Sequence, residues 1–72
     1  MIELIIEQDT TIDENLEDHF ADYAGRWAWK LRSLDYVKDA RFVHRDIGFI
    51  AGYTVVTFET EEDKTLFLLR WS

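Results

Sequence analysis

The chain has no cysteine and no proline among its 72 residues, and only three glycines. Without cysteine there is no disulfide framework, no thiolate zinc site, no iron–sulfur cluster and no cysteine nucleophile. Apolar runs are short, and nothing approaches the roughly 20 residues needed to span a bilayer. The opening Met1-Ile2-Glu3-Leu4-Ile5-Ile6-Glu7 carries acid where a secretory leader has its basic region, so the chain reads as a soluble, cytoplasmic protein. Basic residues are scarce too: eight Lys and Arg stand against 15 Asp and Glu, for a formal charge of −7. Such a surplus repels nucleic acid and anionic lipid at long range.

What is present is apolar and aromatic. At 47% hydrophobic and 15% aromatic residues, the chain is too apolar to be a disordered acidic tail. Its length allows one domain, residues 1–72. A domain of this size buries only about 60% of the surface its unfolded chain exposes, which leaves a thin core. Three Trp, five Phe and three Tyr are one compensation, since each buried aromatic removes roughly 150–250 Å² from water. Homodimer formation is the other.

Charge is segregated along the chain. Residues 1–25 hold eight acids and no Lys or Arg. Residues 26–45 hold Arg26, Lys30, Arg32, Lys38, Arg41 and Arg45 against Asp35 and Asp39, and the remainder returns to acid. The helix dipole accounts for part of this, because it favours acids in first turns and bases in last turns. It does not account for the excess.

Residues 2–7 are short, β-branched and alternating, with Ile2, Leu4 and Ile6 on one face, and read as a strand. Thr11-Ile12-Asp13-Glu14 matches a capping box, with the Thr11 hydroxyl accepting from the Glu14 amide. From there Leu16, Phe20, Tyr23, Trp27 and Leu31 recur at steps of three and four. With no proline to break it, the pattern predicts one helix running to Arg32 or Ser33, with Ala24 widening its apolar stripe and Gly25 opposite. Residues 36–46 and 53–59 read as an antiparallel hairpin joined through 47–52, where Gly48 and Gly52 supply backbone freedom. Thr60-Glu61-Glu62-Asp63 starts a second helix whose body, to Trp71, is apolar around most of its circumference and needs cover on more than one side. The expected fold is α+β, a two-layer βαββα unit with a small three-stranded, largely antiparallel sheet.

Trp29 is the clearest candidate site. On one continuous helix it lies roughly 160° from the apolar stripe, among Asp18, Asp22 and Gly25. A large aromatic on a polar face is either packed under a loop or an interface anchor, and tryptophan is enriched among binding hot spots. Trp71 raises the same question.

Other constellations are weaker. His19 with Asp18 and Asp22 lacks a further ligand at a recognisable interval, so no metal is expected. His44 and Asp46 share a strand face and would suit acid–base work, but no nucleophile joins them: Ser33 and Ser72 lack context and Thr54 and Thr57 read as ordinary strand residues. Gly48 and Gly52 lack the lysine and following helix of a phosphate-binding loop. No enzyme and no cofactor are therefore expected. Lys38, Arg41 and Arg45 with Phe42 suggest a single-stranded nucleic-acid surface, although Asp35, Asp39 and Asp46 interrupt it.

The segments Phe58-Glu59-Thr60-Glu61-Glu62-Asp63 and Phe67-Leu68-Leu69-Arg70-Trp71 resemble the ends of small acidic accessory proteins of tailed bacteriophages. The likeness covers about the last fifth of the chain and carries no catalytic residues. It implies a protein that binds and inhibits a host protein in the host cytoplasm, in some cases by mimicking the charge of DNA. The basic segment 26–45 departs from a pure mimic.

The leading expectation is a non-enzymatic, homodimeric protein-binding module that meets a basic partner through Trp29, Asp18 and Asp22, supported by Glu14 and Glu17. The alternative is single-stranded nucleic-acid binding through Lys38, Arg41, Arg45 and Phe42.

Overall fold

The computed structural model describes residues 1–22, 26–45 and 52–72, together with the backbone of residues 24 and 25. The elements run β1 (Ile2–Glu7), α1 (Thr11–Phe20), α2 (Ala24–Leu31), β2 (Asp39–His44), β3 (Gly52–Phe58) and α3 (Glu61–Trp71). The strands form one sheet in the order β1-β3-β2, with β3 antiparallel to both neighbours. The α+β class with a three-stranded antiparallel sheet is therefore as the sequence predicts. Among the described residues, no helix is long and apolar enough to cross a membrane.

Alternation along the strands decides which residues meet the helices. Ile2, Leu4 and Ile6 stand opposite Phe58, Val56 and Thr54, and Ala40 and Phe42 lie opposite Val56 and Thr54 from the other side. These residues, Thr54 aside, join a cluster with Leu16, Trp27, Ala28 and Leu31 from α1 and α2, and Phe67 and Trp71 from α3. Val55 is buried yet stands outside that cluster, because its side chain points to the opposite face of the sheet. All three helices thus cover one face.

The predicted single helix over 11–33 is in fact two. Phe20 is followed by Ala21 in a left-handed conformation (φ 53°, ψ 42°), and the amides of Ala21 and Asp22 both turn back to the Glu17 carbonyl. That pairing is a helix stop of the Schellman kind, made here without glycine at a cost of roughly 1–2 kcal/mol. The sheet supplies the reason. A straight helix over those 23 residues would run roughly 35 Å, whereas a seven-residue strand covers roughly 23 Å. The break keeps Leu16 on α1 and Trp27 and Leu31 on α2 fully buried over one short sheet. Asp22 holds the corner by accepting Arg26 at 3.5 Å and Lys30 at 3.3 Å, while Lys30 also donates to the Phe20 carbonyl at 3.3 Å.

The first helix cap lies one residue earlier than predicted. Thr10, extended at φ −89° and ψ 165°, accepts from the Asp13 amide at 3.4 Å and donates to the Glu7 carbonyl at 2.8 Å, so it ties the cap to the end of β1. Asp13 answers by accepting the Asp9 amide at 3.0 Å. The cap at Thr60 is as predicted, with its hydroxyl accepting from Asp63 at 3.2 Å.

β2 is shorter than the predicted 36–46, since residues 32–37 form successive turns with Leu34 bonded to Leu31 and Val37 to Leu34 at 3.1 Å each. Gly52 belongs to β3, not to the connection. A Cβ there would run into the Val43 carbonyl oxygen and the Phe42 ring, and its amide donates to Gln8 Oε1 at 2.9 Å. The expectations for Tyr23, for the side chains of Ala24 and Gly25, and for Asp46 and the connection 47–51 fall outside the described residues.

Candidate interaction surface

Trp29 projects from α2 with 69% of its surface exposed, although the neighbouring Trp27 and Ala28 are buried in the core. The helical period explains the contrast, because positions 27, 28 and 31 share the sheet-facing side and 29 does not. The Arg32 guanidinium lies 4.5 Å from the Trp29 ring centre. Arg32 is itself held, with Nε 2.9 Å from the Ala40 carbonyl oxygen and 3.2 Å from Asp39 Oδ1. The ring therefore sits against a cation that the edge of β2 keeps in place, a contact worth about 0.5–1 kcal/mol at an exposed site.

The break at Ala21 separates Trp29 from the acids grouped with it on a continuous helix. Glu14, Glu17 and Asp18 belong to α1, where Glu14 and Asp18 are exposed and Glu17 is half-buried. Asp22 sits between the helices and is engaged by Arg26 and Lys30. The exposed neighbours of Trp29 on α2 and just beyond are Arg26, Lys30, Arg32 and Ser33. Glu14, Glu17 and Asp18 are thus on a different helix from the tryptophan, not on one continuous helix face with it. Arg32, three residues after Trp29, is the functional candidate that sequence reasoning missed; its i+3 spacing was the available signal.

Two acids in α1 resist ionisation. Burial pushes the Asp13 carboxyl above its ordinary value of 3.8; the Asp9 amide opposes this, and the charges of Asp9 and Glu14 add to it. Glu17 is raised above 4.5, first by loss of hydration and then by Asp13, Asp9, Asp18 and Glu14. The first helix therefore carries its negative charge under mutual repulsion.

Trp71 is the opposite of Trp29. Only 6% of it is exposed, and its ring packs against His19 at 4.8 Å, Phe20 at 6.1 Å and Phe67 at 6.3 Å. Asn15 donates to its carbonyl oxygen at 2.6 Å. Trp71 is core, not surface, because it is on the same side of α3 as the fully buried Phe67, four residues before it. The apolar circumference predicted for α3 is visible on its outer side, where Leu66 and Leu69 are exposed. Trp27 Nε1, Trp71 Nε1 and Thr54 Oγ1 are buried with no hydrogen-bond partner among the described residues.

The residues proposed for nucleic-acid contact do not share a surface. Phe42 packs on the helix-covered face, whereas Arg41 points to the other. Lys38 lies 3.9 Å from Glu59, and Arg45 pairs with Glu7 at 2.9 Å while its guanidinium sits 4.9 Å from the Tyr53 ring centre. Strand alternation turns the partly buried Phe42 to the helix-covered face, away from Arg41, so ring and cation do not form one stacking surface. His44 is exposed with its ring centre 4.9 Å from that of Phe42, the two rings nearly perpendicular, and its expected companion Asp46 is outside the described residues. His19 spends its ring on Phe20 and Trp71. Among the described residues no group of three His, Asp or Glu is placed to hold a metal ion.

Comparison of the chain with protein-family models, with curated proteins and with solved structures gives no match.

Proposed function

We propose that this protein is a small non-enzymatic protein-binding module that acts on its partner by occupying a surface, with Trp29 as the anchor. The observation that carries the reading is the exposure of Trp29 on a helix whose other face is fully packed, with Arg32 braced against its ring. An aromatic anchor on a rigid element loses little conformational freedom on binding, and Trp and Arg are the residues most enriched at binding hot spots. The acids of α1, Glu14, Glu17 and Asp18, lie apart from the anchor and act at longer range, steering a partner with a basic surface. Asp22 keeps Arg26 and Lys30 from offsetting that field in full. The protein works as a homodimer in the cytoplasm. Its resemblance to phage accessory proteins supports a phage-encoded inhibitor or modulator of a host protein.

Affinity capture from extracts of the native host tests this. Wild-type protein retains a basic host protein; Trp29→Ala weakens retention by about thirtyfold or more, and joint neutralisation of Glu14, Glu17 and Asp18 slows association chiefly at low salt. Identical capture by wild type and Trp29→Ala contradicts the reading.

A further inference from the structure

The sheet has two edges, and its hydrogen bonds show which backbone groups each edge turns outward. In an antiparallel pair the N–H and C=O of one residue point to the same side, and the side alternates along the strand. The Gly52 amide turns toward β1, where Gln8 Oε1 accepts it at 2.9 Å, and the Thr57 carbonyl turns toward β2, where it accepts the Lys38 amide at 2.8 Å. Thr54, Val56 and Phe58 therefore bond to Ile6, Leu4 and Ile2, and Glu3, Ile5 and Glu7 direct their backbone groups outward. On β2 the same parity turns Ala40, Phe42 and His44 outward. The two edges then differ. Arg32 Nε donates to the Ala40 carbonyl at 2.9 Å, and a charged side chain held across an edge opposes the addition of another strand. On β1 the Glu7 carbonyl accepts the Thr10 hydroxyl at 2.8 Å, but among the described residues nothing bonds to the outward amides and carbonyls of Glu3 and Ile5. Both residues are exposed.

We propose that the edge of β1 takes an extended, basic segment of the partner protein as a fourth strand. This strand site rests on the basic protein partner of the proposed function and gives it a second point of contact, away from Trp29, whose helix packs on β2 and β3 and not on β1. Main-chain bonds to Glu3 and Ile5 hold the segment, and its alternate side chains select it. Those beside Glu3 and Ile5 lie on the face without helices. Lys or Arg there meets Glu3, which has no ion pair among the described residues, and lays its aliphatic stem over Ile5. Those beside Ile2 and Leu4 lie on the helix-covered face, where both are only partly buried, and are apolar. Charge decides the occupant. β1 and α1, which packs on it, fall within residues 1–25, which hold eight acids and no Lys or Arg, whereas β2 and the turns before it carry Arg32, Lys38 and Arg41. A second copy fits badly. An antiparallel β1 pair centred on Ile5 sets Glu3 opposite Glu7 of the second copy, and one centred on Leu4 sets Glu3 diagonal to both Glu3 and Glu7 of the second copy.

Amide exchange of the full chain, followed by NMR during titration with a short capped peptide of alternating Lys and Val, tests the edge. The peptide slows exchange at the Glu3 and Ile5 amides and leaves Phe42 unchanged. N-methylation of the Lys residues, which removes the donors facing β1, weakens binding by about tenfold or more, and N-methylation of the Val residues, whose amides face away, weakens it far less. Glu3→Lys costs about tenfold, and a peptide of alternating Glu and Val does not bind. Trp29→Ala leaves peptide binding intact. Equal effects of the two methylations overturn strand addition, and equal binding of the Glu peptide overturns the choice of a basic segment. Protection of Glu3 and Ile5 that needs no peptide and rises with protein concentration places a second copy on the edge and overturns the proposal. Failure of the Lys peptide to bind overturns it as well, and leaves the reading of Trp29 to the capture experiment, which fails separately if wild type retains no basic host protein.

Discussion

Trp29 and Trp71 are the same residue type on two helices of one small domain, and they have opposite fates. Trp71 closes the core beside His19, Phe20 and Phe67, while Trp29 stands in solvent with an arginine against its ring. The difference comes from where each falls on the helical period relative to the sheet, not from local hydrophobicity. Of the three tryptophans it is the exposed one, Trp29, to which the proposed function assigns partner binding.

Substitution separates the two roles. Trp71→Ala has the largest expected effect, a loss of about 3–5 kcal/mol of stability read from urea unfolding, because it empties a packed site. A loss below about 1 kcal/mol would mean the last turn of α3 contributes little to the fold. Trp29→Ala changes stability by no more than about 0.5 kcal/mol, as surface substitutions do, yet costs about 2 kcal/mol in partner affinity by titration calorimetry against the captured protein. Equal losses from both tryptophans in unfolding would erase the distinction. Thr54→Val tests the covered face itself: among the described residues the hydroxyl has no partner, so its removal stabilises by about 1 kcal/mol in the same unfolding measurement.

The smallest effect concerns pH. The Glu17 carboxyl is raised in the folded protein, so in the range between its unfolded and folded values the folded state binds more protons. Stability contributed by this group is then greatest below 4.5, falls as pH rises through the raised value, and stays lower at neutrality. Glu17→Gln accordingly raises the unfolding midpoint slightly at pH 7 and flattens its dependence on pH in the mildly acidic range; solvent screening keeps the change small. A lowered midpoint at pH 7 would show that the charge of Glu17 is favourable in the fold.

Much of this arrangement was legible in the residues themselves. Alternation at Ile2, Leu4 and Ile6 fixed β1 and its buried face, and Thr60 followed by three acids fixed the start of α3. The break at Ala21 was not legible, because alanine is the best helix former and rarely adopts the left-handed conformation. That break answers to the length of the sheet, a tertiary constraint with no local signature. The cap moved by one residue because Thr10 and Thr11 both satisfy the local pattern, and only Thr10 also reaches the Glu7 carbonyl. For the candidate site, the helical wheel exposed Trp29 correctly but supplied acidic neighbours from α1, since it assumed one continuous helix. Phe42 was misread for a related reason: charged residues on both sides suggested a surface, whereas its register opposite Thr54 turns it into the core.

The separation of the tryptophans is read most directly by acrylamide quenching of intrinsic fluorescence in wild type and Trp29→Phe. Wild type is expected to show an accessible, red-shifted component together with a shielded one, and Trp29→Phe to retain only the shielded emission of Trp27 and Trp71. An accessible component that survives the substitution would contradict the assignment of Trp29 as the exposed anchor.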